Sequence, residues 1–177
     1  MHLLSGSGFP EMTGINCYRR SDGTPREQRA AFADIALAAP SLFEPGTAHE
    51  YSNAGFAIGA AMVEAATDVA WEEALTSRIF APLGIDGRIG WPALNATDAP
   101  LGHRLVDGRL VPHDPATDDY ALPPWLRPAG DVSLSIGDYG TFLADQMAGL
   151  TGRGRLGPEA MYRSLHTPDP ADEDGAA

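Results

Sequence analysis

Residues 43–56 read FEPGTAHEYSNAGF, and the rest of the chain is organised around this stretch. Pro45-Gly46 suits the two central positions of a type II turn, because proline fixes φ and glycine adopts a positive φ. Ser52 or Asn53 can then cap the helix that follows, since a short side-chain oxygen reaches the free N–H groups of a first helical turn. The pattern predicts a phenol, Tyr51, and an amide, Asn53, at the start of a buried helix. Such an arrangement suits chemistry, but it also suits a residue pair that only starts a helix.

Helices are predicted on both sides of this stretch. Thr24, Pro25 and Glu27 form a strong helix start, and the helix should run to about Ala39. Its apolar stripe comprises Phe32, Ile35, Ala36 and Ala39. The helix after Tyr51 is apolar all round except for Glu64, which predicts a place at the centre of the core.

Three more helices are predicted towards the C-terminus. One runs from about Ala70 to Phe80, with Trp71, Leu75 and Ile79 on one face. The next follows the cap Ser135, with Asp138 in its first turn and a buried face of Tyr139, Phe142, Leu143 and Met147. The last opens at Pro158 and runs to about Leu165. Between these helices, residues 104–112 read as a hairpin that turns at Asp107-Gly108.

Composition limits the function classes. The chain has 177 residues, 44% of them hydrophobic, which is enough for one domain with a sizeable core. Its formal charge of −12 opposes binding to nucleic acid or to an anionic membrane. No apolar run reaches the roughly 18 residues of a membrane span. The first residues have neither a basic n-region nor a long apolar h-region, so we do not expect them to act as a signal peptide, and the compartment is left open.

The chain has one cysteine and no lysine, and both facts limit its chemistry. Cys17 is the single cysteine, so the chain holds no internal disulfide, and a structural thiol is favoured over a nucleophile. All twelve basic residues are arginine. A mechanism that needs a deprotonatable ammonium is therefore closed to this polypeptide, because guanidinium keeps its proton in proteins.

No metal site or cofactor is expected. His103, His113 and Asp114 could suggest a metal, but their spacing matches no standard site. His49-Glu50 lacks the second histidine of a zincin helix. Ordinary polar loop residues are the favoured interpretation of both groups.

Six segments, in order along the chain, match one known family. They are Leu3-Leu4-Ser5 with Ser7-Gly8, Phe43-Glu44-Pro45-Gly46, Tyr51-Ser52-Asn53, residues 79–84, Pro128-Ala129-Gly130 with Ser133, and Leu165-His166-Thr167-Pro168. By these segments the chain resembles the serine β-lactamase and penicillin-binding-protein superfamily, in the branch of class C β-lactamases, esterases and D-alanyl-D-alanine peptidases. The resemblance implies an α+β, mainly helical fold class. It would be the central helical portion of a β-lactamase/transpeptidase-like fold, with a short β-hairpin and without most of the antiparallel sheet.

The resemblance implies acyl transfer through a serine. The family uses three elements, Ser-x-x-Lys, Tyr-x-Asn and Lys/His-Thr/Ser-Gly. Tyr51 corresponds to the catalytic tyrosine that exchanges a proton with the serine and the leaving group. Asn53 corresponds to the amide that hydrogen-bonds substrate and orients the lysine. A full-length relative would act on a small-molecule or peptide acyl substrate.

Two of the three elements are missing from this sequence. Ser-x-x-Lys cannot be present without a lysine, and in the family it lies upstream of the segment that matches Leu3-Leu4-Ser5. We therefore expect the chain to begin after it and to contain no nucleophile. His166-Thr167-Pro168 does not replace the third element, because proline stands where glycine is required and a predicted helix precedes it. The closing strands are expected beyond Ala177.

These expectations define one partial domain over residues 1–177. It comprises an N-terminal segment of about 1–20, a helical region over 21–125 with the hairpin near 104–112, closing helices over 126–168 and a flexible acidic tail over 169–177. A first helix and several strands would be missing, so apolar surface should be exposed and the chain should self-associate.

Three functional interpretations follow. The favoured one is a fragment of a β-lactamase-like serine hydrolase, acting on an amide, lactam or ester and inactive alone. The second is a catalytically dead relative that binds such a compound. The third is an acidic helical interaction module for a basic partner. The sequence does not choose the substrate, because lactamases, peptidases and esterases share these elements.

Overall fold

The structure is a computed structural model that describes residues 22–48, 50–96, 98–116 and 122–167, and its framework is helical. The helices are α1 (Pro25–Ala38), α2 (Asn53–Thr67), α3 (Trp71–Leu75), α4 (Ala81–Leu83), α5 (Pro92–Asn95), α6 (Ile136–Gly149) and α7 (Glu159–His166). A π-helical turn, Thr76–Phe80, joins α3 to α4, and a 3-10 helix spans Pro124–Ala129. Within the described ranges, no helix is both long and apolar enough to cross a membrane.

Two short antiparallel strand pairs accompany the helices. β1 (Arg88–Ile89) pairs with β4 (Val132–Ser133), and β2 (His103–Val106) pairs with β3 (Arg109–Pro112). The second pair is the predicted hairpin, one residue longer at its start. The mainly helical α+β class is therefore confirmed.

The hairpin turn has the expected chemistry. Asp107 and Gly108 have φ values of 49° and 76°, as a two-residue turn between twisted strands requires. Leu105 lies directly opposite Leu110, and both side chains are exposed.

The larger part of the core lies between α1, α2 and the 3-10 helix. Its buried side chains are Phe32, Ala33, Ala36, Ala54, Ala57, Ile58, Trp125 and Leu126. The ring of Phe32 stacks on that of Trp125 with centroids 4.2 Å apart. Thr24 and Glu27 form the predicted capping box at the start of α1.

Two expectations about this core are wrong. Ile35 is 44% exposed, so the apolar stripe of α1 is narrower than its spacing indicates. α2 is not buried all round, because Met62 and Val63 lie on a face that no described element covers and are 57% and 42% exposed. Apolar periodicity identifies a face that favours burial, but burial also needs a packing partner.

A buried ion-pair network ties the first three helices together. The fully buried Arg29 guanidinium donates to Glu64 from Nε at 3.1 Å and to Glu72 from Nη2 at 2.7 Å. It also donates from Nη1 to the carbonyl of Pro124 at 3.1 Å. Burial opposes the charged form, but the hydrogen bonds and charges of Glu64 and Glu72 outweigh it and raise the pKa of Arg29. Arg29 thus links α1 to α2, α3 and the 3-10 helix.

A second core cluster surrounds the π turn. Phe80, Leu83 and Ile85 are buried there, against Leu75, Ile79, Leu134, Phe142 and Leu156. The predicted helix over 70–80 is thus α3 and the π turn, and it continues through α4. Gly84, with φ 68°, ends α4 in the left-handed conformation that glycine adopts without strain. Pro82 stands in the first turn of α4, where its missing N–H costs no helical hydrogen bond.

The packing of α6 differs from the prediction. Ser135 caps the helix as expected, since its Oγ accepts from the N–H of Asp138 at 3.0 Å. The predicted buried face is wrong: Tyr139, Leu143 and Met147 are 47%, 43% and 73% exposed, and Phe142 is only half-buried.

The buried side of α6 faces α7 instead. The hydroxyl of Tyr162 donates to Asp145 Oδ2 at 2.6 Å, and the Tyr162 ring packs on Gly149, where a Cβ would lie 2.3 Å from ring carbons. α7 begins at Glu159, because Pro158 is its N-cap residue, and it ends at His166, one residue beyond the predicted end.

Candidate functional site

The site begins with the predicted turn. Gly46 has φ 85°, and the N–H of Thr47 donates to the carbonyl of Glu44 at 3.1 Å, which closes the turn around Pro45. Only glycine adopts this φ readily, so the type II turn is confirmed. The turn sends the chain towards the start of α2.

Tyr51, Ser52 and Asn53 occupy the entrance to α2. Ser52 is fully buried, and its Oγ accepts from the N–H of Gly55 at 3.3 Å, so Ser52 is the cap. Its backbone is extended, with φ −145° and ψ 112°. In an extended segment, side chains two apart point to the same side, which places Tyr51 and Asn53 together and Ser52 opposite them.

The phenol and the amide are in direct contact. The Tyr51 hydroxyl donates to Asn53 Oδ1 at 2.8 Å. Tyr51 is 52% exposed and Asn53 is half-buried, so the pair lies at the surface. Tyr51 Oη keeps acceptor capacity, because its hydrogen is donated to Asn53 and its lone pairs are not used by that bond. The phenol oxygen can therefore accept from an arriving ammonium or N–H donor.

The rest of α2 gives this pair a rigid support. At the far end of the helix, Arg26 Nη2 lies 2.8 Å from Asp68 Oδ1. Further back, Glu64 accepts from the buried Arg29 and, at 2.9 Å, from the N–H of Trp71. These contacts hold the C-terminal end of α2, while Ala54, Ala57 and Ile58 are buried nearer the helix start.

The other candidate residues do not join this pair. Among the residues that the structure describes, no three His, Cys, Asp or Glu side chains lie close enough together to hold a metal. His103 and His113 lie at the base of the hairpin, and His166 ends α7 with its Nε2 3.2 Å from Gln146 Oε1. His166 is thus not on a strand.

Several predicted features lie outside the described residues. They are Cys17, the segment around Leu3-Leu4-Ser5, His49, Pro168 and the acidic tail over 169–177.

Three buried acids, Glu64, Asp131 and Asp145, were not predicted from the sequence. Glu64 had a signal, because a single acid in an apolar helix needs a buried partner. Asp131 had none, since it follows Gly130 in a segment that reads as a loop. Burial raises the pKa of the Asp131 carboxyl, and the charge of Arg127 and a hydrogen bond from Trp91 oppose only part of this effect.

Comparison with known proteins gives one family. A family model described as Beta-lactamase matches residues 8–176. No curated protein matches the sequence.

Solved structures resemble the chain closely in fold. The penicillin binding protein from Bacillus halodurans matches with a TM-score of 0.71 at 21% identity, over 94% of this chain and 50% of that protein. SurE matches with a TM-score of 0.72 at 26% identity, over 95% of this chain and 38% of SurE. The D-amino acid amidase from Ochrobactrum anthropi SV3, complexed with D-phenylalanine, matches with a TM-score of 0.59 at 23% identity, over 91% and 46%. The chain thus spans half or less of each of these proteins.

Proposed function

This chain belongs to the beta-lactamase family, and from that premise we propose that it carries the second of three elements of a serine acyl-transfer site. The family assignment agrees with the resemblance drawn from the six sequence segments. The second element is Tyr51-Ser52-Asn53, with Tyr51 and Asn53 as its functional side chains.

One observation supports this assignment most strongly. The hydroxyl of Tyr51 lies 2.8 Å from Asn53 Oδ1, on the side of the chain opposite the buried Ser52. A structural cap needs only Ser52, because the Ser52 oxygen already accepts from the first turn of α2. The contact between an exposed phenol and an amide adds little to the helix, so a role in chemistry accounts for it better.

The proposed roles follow from the two groups. Tyr51 exchanges a proton with the attacking serine and the leaving group, since a phenol can both donate and accept. Asn53 hydrogen-bonds the substrate and orients the ammonium of the general base. Neither the serine of Ser-x-x-Lys nor its lysine is in this sequence, because the sequence has no lysine. We therefore propose that the chain contributes to acyl transfer only with a polypeptide that carries those groups.

The substrate class is proposed from the family and its neighbours. They include a penicillin binding protein and a D-amino acid amidase, so a small-molecule or peptide amide, lactam or ester is the proposed acyl donor. One partial domain over residues 1–177 is proposed as well. The exposed apolar stripe of α6, with Ile136 at 87% and Met147 at 73%, supports self-association through that face.

A hybrid protein tests the proposed roles. Residues 22–167 replace the matching segment of the Bacillus halodurans penicillin binding protein, which supplies the rest of the fold. We expect a fluorescent penicillin to label the hybrid. Tyr51→Phe should slow the labelling by about a hundredfold, because general acid–base catalysis is lost. Tyr139→Phe is the matched control, since Tyr139 is similarly exposed but lies on α6.

The outcomes separate the interpretations. Labelling of the Tyr51→Phe hybrid at the parent rate would refute the role of Tyr51. A hybrid with native circular dichroism that takes no label would instead favour a binding protein without catalytic activity.

A further inference from the structure

A small cavity lies where β1 and β4 meet the 3-10 helix. Its volume is about 160 Å³, and it is lined by Gly90, Trp91, Pro92, Gly130, Asp131 and Ser133. Two hydrogen bonds fix the walls: the N–H of Gly90 donates to the carbonyl of Asp131 at 2.7 Å, and Ser133 Oγ donates to the carbonyl of Gly90 at 2.8 Å. The cavity is therefore part of the folded framework.

The carboxyl of Asp131 is the unusual group on this wall. Asp131 is only 2% exposed. Its Oδ2 lies 3.7 Å from Nε of Arg127, and Trp91 donates a side-chain hydrogen bond to the carboxyl. Its Oδ1 is buried and has no hydrogen-bond partner. A buried acceptor without a donor is costly, because the water that it lost is not replaced.

The unpartnered atom defines the chemistry of a ligand. Arg127 Nε is also buried without a hydrogen-bond partner, but the oxygen that it approaches, at 3.7 Å, is Oδ2. A ligand that satisfies Oδ1 must therefore supply an N–H or O–H group. A carboxylate beside the aromatic wall of Trp91 suits an organic ammonium, which gains a charge-assisted hydrogen bond and contact with the ring. A divalent metal is disfavoured, because a single carboxylate is far from the six or more oxygens that calcium prefers.

The neighbouring surface has the matching charge. A groove of about 380 Å³ shares Pro92 and Ser133 with the cavity, and it carries Asp86 and Asp138 against Arg88. This excess of acid, on a chain of net charge −12, attracts cations towards the cavity.

We propose that the cavity lined by Asp131 and Trp91 binds the primary ammonium group of a small molecule, with Asp131 Oδ1 as the acceptor. The observations that carry this site are the cavity, the orphan oxygen and the acidic groove. It does not depend on the proposed acyl-transfer function, because it uses neither Tyr51 nor Asn53.

Indole N–H signals in ¹⁵N–¹H NMR spectra of the full chain test the site. The chain has three tryptophans, and Trp91→Phe assigns the Trp91 signal. Methylammonium chloride should shift the Trp91 signal saturably and leave the other two unchanged. Sodium chloride at equal ionic strength should not shift it. Tetramethylammonium should not saturate it either, because this cation has no N–H to donate.

Variants give the second arm of the test. Asp131→Asn should weaken methylammonium binding about tenfold or more, because the charged acceptor is lost. Asp86→Asn is the control, since Asp86 lies in the groove and not in the cavity, and binding should weaken less than about twofold. Equal shifts with sodium chloride, saturation by tetramethylammonium, or unchanged binding in Asp131→Asn would each overturn the proposal. If Asp131→Asn does not fold, the salt series on the unmodified chain decides.

Discussion

Replacing Arg29 by methionine tests how much the buried ion pair between Arg29 and Glu64 contributes to the stability of the helical framework. The Arg29 side chain is completely buried, with 0% of its surface exposed, and the Glu64 side chain is 3% exposed. Methionine keeps much of the volume but removes the charge. Glu64 would then be a buried carboxylate whose remaining donor is the N–H of Trp71 at 2.9 Å. Removing one partner of a buried pair costs about 3–5 kcal/mol, a large share of a typical domain stability of about 5–15 kcal/mol.

The same helix offers a matched control. Arg26 lies one turn before Arg29 and pairs with Asp68, but the two side chains are 40% and 92% exposed. Arg26→Met should therefore cost no more than about 1 kcal/mol. The assay is urea unfolding followed by far-ultraviolet circular dichroism, with the free energy of unfolding extrapolated to water and the m-values compared.

A third variant separates orphaned charge from lost packing. In Arg29→Met/Glu64→Met the unpaired carboxylate of Glu64 is gone, so part of the lost stability should return. The recovery stays partial, because Glu72 and the N–H of Trp71 lose a partner. The reasoning fails if Arg29→Met costs as little as Arg26→Met with unchanged m-values.

The remaining predictions concern the cap and the buried acid. Ser52→Ala should lower the free energy of unfolding by about 1 kcal/mol through loss of the cap on α2, while Tyr51→Phe should change it by less than about 0.5 kcal/mol, because Tyr51 is half-exposed. Urea unfolding measures both changes, and equal losses of unfolding free energy in the two variants would contradict the assignment of the cap to Ser52 alone. Burial raises the pKa of the Asp131 carboxyl in the folded chain above its ordinary value of 3.8. The folded state therefore favours the neutral carboxyl, and this contribution to stability is fully present below pH 3.8 and is lost as the pH rises through the folded pKa. Asp131→Asn, which cannot ionise, should therefore become more stable relative to the parent as the pH rises from about 3 to about 7. The measurement is the thermal midpoint of the variant minus that of the parent at each pH. A difference that falls as the pH rises would refute this assignment.

Local features of the fold could be predicted from the sequence. The capping box at Thr24, the turn at Gly46 and the caps at Ser52 and Ser135 are all where the residue types place them. Each depends on a few consecutive residues, whose φ preferences and short side chains decide the geometry. The contact between Tyr51 and Asn53 belongs to this class, because the extended backbone of the residue between them brings the two together.

Features that need distant partners could not be predicted. The spacing of apolar residues in α6 indicates a face that favours burial, yet Met147 is 73% exposed because no described element packs there. Arg29 and Glu64 are 35 residues apart, and no local pattern pairs them. The cavity beside Asp131 combines a turn after β1 with the end of the 3-10 helix, so its orphan oxygen is visible only in the folded chain.

We propose that the chain holds the Tyr-x-Asn element of a serine acyl-transfer site, and its sequence contains neither a lysine nor a Ser-x-x-Lys motif. The most direct test is the intact mass of the 177-residue chain after incubation with a penicillin, beside a penicillin binding protein as the positive control. We predict an unmodified mass for this chain and a covalent adduct on the control. A stoichiometric acyl adduct on any serine of this chain would contradict the account.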